Sequence, residues 1–152
     1  MTLLHLEDFE SGQIFELGEY KFDTDEIIAF AKQFDPQPFH IDKDAAAAST
    51  FGGLIASGWQ TGSVFMRLLV DGLLVRCASM GSPGVDELRW LAPVRPGDTL
   101  TAVLEIEDVR PSKSRPDRGF ITTRAVLTNQ DGTDVFTPRA PLMLRRRADP
   151  EG

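Results

Sequence analysis

The spacing of hydrophobic residues predicts helices in the first half of the chain and strands in the second. Residues 13–22 have the composition of a strand interrupted by Gly18, and residues 24–34 place their apolar side chains on one helical face. A short helix is predicted over residues 43–49. Residues 59–79 repeat apolar positions with the 3.6-residue period and carry few charges, which predicts one long, largely buried helix.

The second half of the chain has the pattern of an antiparallel sheet. Strand-like segments separated by the turn sequences RPGD and QDGT predict consecutive strands in a meander. Two prolines in the last of them, Pro138 and Pro141, predict bulges or a sheet edge, because proline cannot donate a ladder hydrogen bond. The four predicted strands cover residues 85–94, 99–109, 119–129 and 134–147.

This order of elements predicts an α+β fold in which one sheet packs on one long helix. The chain has 152 residues, of which 41% are hydrophobic and 26% charged, and this composition suits a single domain covering residues 1–152. One helix cannot cover a five-strand sheet from both sides. The remaining apolar strand positions therefore predict a dimer.

Charge and composition narrow the classes of partner. A formal net charge of −7 argues against binding nucleic acid or an anionic membrane through a diffuse basic surface. The first residues lack the basic stretch of a secretory signal, and no run of about 18 apolar residues predicts a transmembrane helix. We therefore expect a cytoplasmic protein. The single cysteine, Cys77, excludes an internal disulfide, and its apolar neighbours predict a buried, inert thiol.

The stretch FDPQPFHID, residues 34–42, combines two prolines with a carboxylate and an imidazole. Pro36 ends the preceding helix, because the residue before a proline, here Asp35, is displaced from the α region. Pro36 and Pro38 predict a stiff, extended loop that displays Asp35 and His40. Such a pair can bind and activate a water molecule, with Asp as base and His as donor or base. On spacing alone, a turn-capping aspartate and a satisfied, partly buried histidine are favoured over this role.

A glycine-rich stretch, GGLIASG, precedes the long helix. The N–H of Gly58, at the junction with that helix, can polarise a carbonyl oxygen as an oxyanion hole does. Tight packing of the loop against the sheet is the alternative, and a lone glycine cluster favours it. Ser63 lacks the spacing of a nucleophile elbow, and the two histidines of the chain make a zinc site improbable.

Two segments together resemble a known family. Residues 34–59, FDPQPFHIDKDAAAASTFGGLIASGW, resemble the signature of the MaoC-like dehydratases, the (R)-specific enoyl-CoA hydratases. Residues 91–100, LAPVRPGDTL, are similar to a later strand turn of that family. The resemblance extends from about residue 5 to residue 146. It implies a hot-dog fold, in which an antiparallel sheet of five to six strands wraps one long central helix.

The resemblance also implies an activity and its residues. Asp35 and His40 would hold the water that adds to the β-carbon of a trans-2-enoyl-CoA, and one of them would return a proton to the α-carbon. The Gly58 N–H would stabilise the negative charge on the thioester oxygen, with Gln37 and Ser57 also among the oxyanion and substrate-binding residues. The implied assembly is a homodimer or a dimer of dimers with acyl-CoA bound near the protomer boundary. No metal or cofactor beyond the CoA of the substrate is implied.

Two positions depart from the family. Gln37 replaces the usual Asn, and Met66 stands where hydratases often carry a small polar residue, which implies a more apolar pocket. An acyl-CoA thioesterase and a dimeric acyl-thioester binding module without catalysis remain open as alternatives. The phosphates of CoA need local cations. The candidates are Lys113, Arg115 and Arg118 on one loop, with Arg89 and Arg67 elsewhere. For the three loop residues, a solvated loop without a binding role is the favoured interpretation.

Overall fold

The computed structural model describes residues 2–148, which form five strands and four α-helices. The strands are β1 (Ile14–Lys21), β2 (Glu87–Trp90), β3 (Thr99–Pro111), β4 (Arg118–Thr128) and β5 (Asp134–Arg145). The α-helices are α1 (Thr24–Phe34), α2 (Pro38–Ile41), α3 (Lys43–Ala48) and α4 (Gly58–Gly72). Short 3₁₀ turns cover Leu6–Asp8 and Leu74–Arg76. None of the helices within residues 2–148 is long and apolar enough to cross a bilayer.

All five strands belong to one antiparallel sheet with the order β1-β3-β4-β5-β2. Helix α4 packs against this sheet and contributes Val64, Leu68 and Leu69 to a continuous apolar core. This is the hot-dog arrangement, so the predicted α+β class is confirmed, with five strands in the sheet.

The predicted four-strand meander is correct for β3, β4 and β5 and wrong for β2. Strand β2 pairs with β5, where Leu88 lies opposite Pro138. The segment before it already runs beside β5, since the Met80 N–H donates to the Met143 carbonyl at 2.8 Å. Alternating hydrophobicity identifies a strand but does not choose its neighbour, and these backbone hydrogen bonds decide the position of β2.

Pro138 forms neither of the predicted features, whereas Pro141 lies where one side of β5 is not paired with β2. β5 lies between β4 and β2, and Pro138 is aligned in register with Leu88. The irregularity in the β4–β5 pairing falls between Leu127 and Thr128, away from both prolines. The strand accommodates Pro141 beyond the end of the short partner β2, whose pairing with β5 ends at Arg139.

Helix α4 is shorter and less buried than its periodicity predicted. It ends at Gly72, where a Cβ atom would lie 2.8 Å from the backbone of Leu17 in β1, so the helix crosses the strand at close range. Farther toward the start of the helix, Trp59 and Met66 are 60% and 50% exposed in the single chain. Apolar periodicity marks a face but does not say whether the same chain covers it.

The first strand also pairs with a distant part of the sequence. Ile14 of β1 lies opposite Glu105 of β3, so this pairing closes a segment of about ninety residues that contains all four α-helices. Asp23 then caps α1 by accepting a hydrogen bond from the Glu26 N–H at 2.8 Å, as aspartate commonly does at this position.

Candidate active site

Three helix ends meet at one point of the fold and bring the predicted polar residues together. Asp35 is the residue at which α1 ends, with φ −152° and ψ 67°, because Pro36 prevents the helix from continuing. His40 lies in α2, and Ser57 and Gly58 begin α4. The prediction of an extended loop is therefore wrong for its second half, where Pro38–Ile41 form a short helix. Pro38 opens a one-turn helix, since proline suits the first helical position, and this turn carries His40.

The Asp35 carboxylate is held by three side chains. Its Oδ1 accepts a hydrogen bond from Gln37 Nε2 at 2.7 Å, and its Oδ2 accepts one from Ser57 Oγ at 2.8 Å. His40 Nε2 lies 3.2 Å from the same Oδ2. The structure thus brings Asp35, Gln37, His40 and Ser57 into one hydrogen-bonded group.

The orientation of His40 follows from its second ring nitrogen. Nδ1 lies 2.7 Å from the Ile55 carbonyl oxygen, which can only accept, so Nδ1 carries a hydrogen. In the neutral ring Nε2 is then an unprotonated acceptor that faces Asp35. An ionised carboxylate also only accepts, so the 3.2 Å contact becomes a hydrogen bond when a proton is placed on Nε2. The Asp35–His40 pair can therefore take up one proton.

Opposing influences act on the Asp35 carboxyl. Partial burial favours its neutral form and is the largest single influence. The hydrogen bonds from Gln37 and Ser57 and the proximity of His40 act together in the other direction, so the net result is a pKa below its usual range. Asp35 is thus an anion throughout the neutral pH range, as an acceptor of protons from water must be.

This lowered pKa makes the stability of the fold depend on pH. The ionised carboxylate stabilises the folded chain above the pKa of the unfolded aspartate, about 3.9, and this contribution is lost as pH falls through the lower folded pKa. We expect Asp35→Asn to lower the free energy of unfolding at pH 7, and the difference from the native chain to shrink under acidic conditions. Urea unfolding of both proteins across this pH range measures the difference. A difference that grows on acidification would contradict the assignment.

Gly58 carries a free backbone donor close to the same group of residues. As the first residue of α4, its N–H lies at the positive end of a 15-residue helix, and it has no acceptor among the described residues. A Cβ atom here would come within 2.6 Å of Trp90 Nε1, which donates a hydrogen bond to the Gly58 carbonyl at 2.8 Å. Close approach of the Trp90 indole therefore requires glycine at this position.

A cavity of about 420 Å³, here named the Asp35 cavity, contains these groups. Asp35, Gln37, His40 and the Gly58 backbone line it, and its other walls are mainly apolar. Such a combination, with a few polar groups converging in an apolar pocket, is typical of small-molecule sites. The remaining lining residues are Phe51, Ile55, Ala56, Trp59, Thr61, Trp90, Leu91, Ala92, Pro93 and Val94.

Sequence reasoning missed two residues of this site. The role of Ser57 in binding the substrate stays a prediction; in the structure Ser57 is fully buried, lies outside the cavity lining, and directs its hydroxyl to Asp35. Trp59 and Trp90 were not predicted, although they form an edge-to-face pair with ring centroids 5.3 Å apart beside Gly58. The tryptophan directly after Gly58 was the available signal for the first, whereas the position of Trp90 depends on where β2 pairs.

The candidate cations for CoA phosphates lie outside this cavity. Lys113 and Arg115 lie in the segment joining β3 to β4, and Arg118, the first residue of β4, pairs with Asp117 at 2.8 Å. Arg67 pairs with Asp71 at 2.6 Å and Arg89 pairs with Glu87. None of these five lines the Asp35 cavity.

The other reactive groups of the chain are separate from the site. Cys77 is buried, and burial raises the pKa of its thiol to about 11, which agrees with the inert role predicted for it. Within residues 2–148 no group of three or more histidine, cysteine, aspartate and glutamate side chains is placed to hold a metal ion.

Comparison with known proteins identifies relatives by sequence and by structure. A family model described as a MaoC like domain matches residues 9–128. An uncharacterised protein of Bacillus subtilis is 29% identical over 143 residues, covering 94% of this chain and 100% of that protein. An (R)-specific enoyl-CoA hydratase of Rhodospirillum rubrum is 28% identical over 148 residues, covering 97% of this chain and 96% of the hydratase. The crystal structure of a MaoC-like dehydratase from Rhodospirillum rubrum is 42% identical with a TM-score of 0.85, covering 96% of this chain and 99% of that one.

Proposed function

This chain belongs to the MaoC-like domain family, and on that premise we propose that it adds water to the double bond of a trans-2-enoyl-CoA, or catalyses the reverse dehydration. The observation that carries the proposal is the content of the Asp35 cavity. A carboxylate, an imidazole and the glycine that carries a free helix N–H line one apolar space. Hydration of a conjugated thioester needs a proton acceptor, a proton donor and a stabiliser of the carbonyl oxygen.

In the proposed reaction, a water molecule binds beside Asp35 Oδ2 and His40 Nε2, which lie 3.2 Å apart, and donates hydrogen bonds to them. Its oxygen attacks the β-carbon while its proton passes to the Asp35–His40 pair, which has room for one. The electrons of the double bond move toward the thioester, and the Gly58 N–H donates to the oxygen on which negative charge develops. The pair then delivers a proton to the α-carbon, and the thioester carbonyl re-forms. The reaction is redox-neutral, so the proposal calls for no redox cofactor.

The neighbouring residues support this division of roles. Ser57 and Gln37 hold Asp35 through hydrogen bonds of 2.8 and 2.7 Å, so the carboxylate cannot rotate away from His40. Ile55 fixes the imidazole through Nδ1 and leaves Nε2 as the nitrogen that exchanges protons. Gln37 both positions Asp35 and forms part of the cavity wall. Its side chain, longer than the usual asparagine, can do both.

The experiment that tests the proposal follows the loss of conjugated enoyl-thioester absorbance with a series of trans-2-enoyl-CoAs. We expect turnover without release of free CoA thiol, because water adds to the β-carbon and leaves the thioester intact. Release of the thiol would contradict the proposal and indicate a thioesterase. Binding of acyl-CoA without turnover would contradict it as well and indicate a binding module.

We also propose the homodimer that the resemblance implies. Strand β2 lies at an open edge of the sheet, and Trp90 and Leu91 at its end are 43% and 54% exposed although both line the Asp35 cavity. Pairing of two β2 edges would cover these side chains and complete the wall of the cavity. A solution mass equal to that of one chain at micromolar concentration would contradict this assembly.

A further inference from the structure

A second cavity, here named the helix cavity, lies between α4 and the sheet and has a volume of about 300 Å³. Its size is near the lower end of the range for ligand pockets, roughly 300–1,000 Å³. Its walls are almost entirely apolar, with Ser63, Ser82 and Thr123 as the exceptions. The other lining residues are Trp59, Gly62, Phe65, Met66, Leu69, Val85, Leu88, Phe136, Pro138, Ala140 and Leu142.

The helix cavity extends along α4 from the point where the thioester oxygen would bind. Trp59, Gly62, Met66 and Leu69 line it and follow one another at spacings of three or four residues, so they form one stripe along the helix. This stripe starts directly beside Gly58, whose N–H is the proposed oxyanion donor. A substrate tail continuing from the Asp35 cavity along α4 would enter the helix cavity.

Trp59 is the residue that lines both cavities. Its ring packs edge-to-face on Trp90, which is held from two sides: Nε1 donates to the Gly58 carbonyl at 2.8 Å, and the ring packs on Phe136 with centroids 5.5 Å apart. Trp59 is 60% exposed, and its indole N–H has no acceptor among the described residues. Trp90 is therefore a fixed part of the wall, whereas the Trp59 side chain can be shortened without opening the core.

We propose that Trp59 limits the length of the acyl group by separating the Asp35 cavity from the helix cavity. In the native chain the acyl tail is confined to the Asp35 cavity, which favours short chains. With a small side chain at this position the two cavities join, and an unbranched aliphatic tail, which needs no polar partner, can enter the helix cavity. This inference rests on the proposed function for the identity of the ligand as a CoA thioester.

The test compares kcat/KM of the native chain, Trp59→Ala and Trp59→Phe on crotonyl-, hexenoyl-, octenoyl- and decenoyl-CoA. For the native chain and for Trp59→Phe, in which an aromatic ring still fills the wall, we expect kcat/KM to fall with chain length. For Trp59→Ala the ratio of kcat/KM for decenoyl-CoA to kcat/KM for crotonyl-CoA should rise at least about tenfold, since each methylene that becomes buried raises kcat/KM roughly fourfold. Identical length profiles in all three proteins would overturn the inference, as would a native chain that prefers decenoyl-CoA.

A double variant shows whether the gain comes from the helix cavity itself. A Cβ atom at Gly62 would lie 3.9 Å from the Phe136 ring, an ordinary contact, so position 62 admits a side chain, and a leucine there would take up space in the cavity that Gly62 lines. We expect Trp59→Ala/Gly62→Leu to lose the gain on decenoyl-CoA. Retention of the gain would place the tail elsewhere and overturn the assignment. Thermal unfolding of each variant confirms that the proteins compared are folded.

A binding measurement separates failure of this inference from failure of the proposed function. Titration with the saturated thioesters butyryl- and decanoyl-CoA requires no turnover. If no enoyl-CoA is hydrated, the proposed function is lost, yet Trp59→Ala should still gain affinity for decanoyl- over butyryl-CoA by at least about tenfold. Equal ratios of the two affinities in the native chain and Trp59→Ala would overturn the role of Trp59 whether or not hydration occurs.

Discussion

Asp35→Asn is expected to lower kcat for enoyl-CoA hydration by at least about 10²-fold. The substitution preserves the shape of the side chain and its ability to hydrogen-bond with Gln37 and Ser57. It removes the negative charge and the lone pair that would accept a proton from water. The exchange therefore tests proton transfer with little change in the architecture of the site. Measurement of kcat and KM separately should show the loss in kcat.

His40→Ala is expected to lose turnover by a similar factor, because it removes the second partner of the bound water. The two losses should not multiply in the double variant, since the pair accepts one proton as a unit. Asp25→Asn, at the opposite end of α1, provides a matched control in which an exposed carboxylate is neutralised. If Asp35→Asn retained native kcat, or if the control lost as much, the proposed base would be wrong.

Replacement of Gly58 by proline is expected to cause the second large loss. Proline removes the N–H proposed to stabilise the thioester oxygen, and it suits the first position of α4. Ser57, which precedes it, has φ −60° and ψ 138°, a conformation that proline tolerates in the preceding residue. The obstacle is Trp90, because any Cβ at position 58 would meet its indole at 2.6 Å.

The comparison is therefore made in a Trp90→Ala background, in which that contact is removed. In that background Gly58→Ala keeps the N–H and Gly58→Pro does not, so the ratio of their kcat values measures the contribution of this donor. We expect kcat to be about 10²- to 10³-fold lower with proline than with alanine. Titration with butyryl-CoA checks that both variants still admit the ligand. Equal kcat values in the two variants would assign the oxyanion to another donor.

Much of the fold could be predicted because local sequence signals determine it. The capping aspartate, Asp23, and the break at Pro36 bound α1, and the alternation over residues 99–109 identifies β3. The position of β2 could not be predicted, since it depends on long-range pairing with β5 rather than on the composition of residues 87–90. The end of α4 at Gly72 also depends on a neighbour distant in sequence, the backbone of Leu17.

The Asp35–His40 pair of the site could be predicted from the sequence, but the partners that hold it could not. Two prolines interrupt the helical pattern around Asp35 and His40, and the family resemblance identifies the same pair. The hydroxyl of Ser57 and the nitrogen Nδ1 of His40 find their partners only in the folded chain, where Asp35 lies 22 residues from Ser57 and Ile55 lies 15 residues from His40. Trp90 reaches Gly58 across 32 residues, which no local pattern reveals.

The pairing of β1 with β3 has a consequence for the order of folding. The hairpins β3–β4 and β4–β5 join neighbouring segments, whereas Ile14 must find Glu105 across about ninety residues. Closing so long a loop costs chain entropy before its contacts can repay it, so the three-strand meander can form first and β1 can join later. Asp35, His40 and Gly58 all lie inside that loop. Assembly of the Asp35 cavity therefore depends on the longest-range pairing of the sheet, and we expect a substitution that weakens the docking of β1 to release the site before it dismantles the sheet.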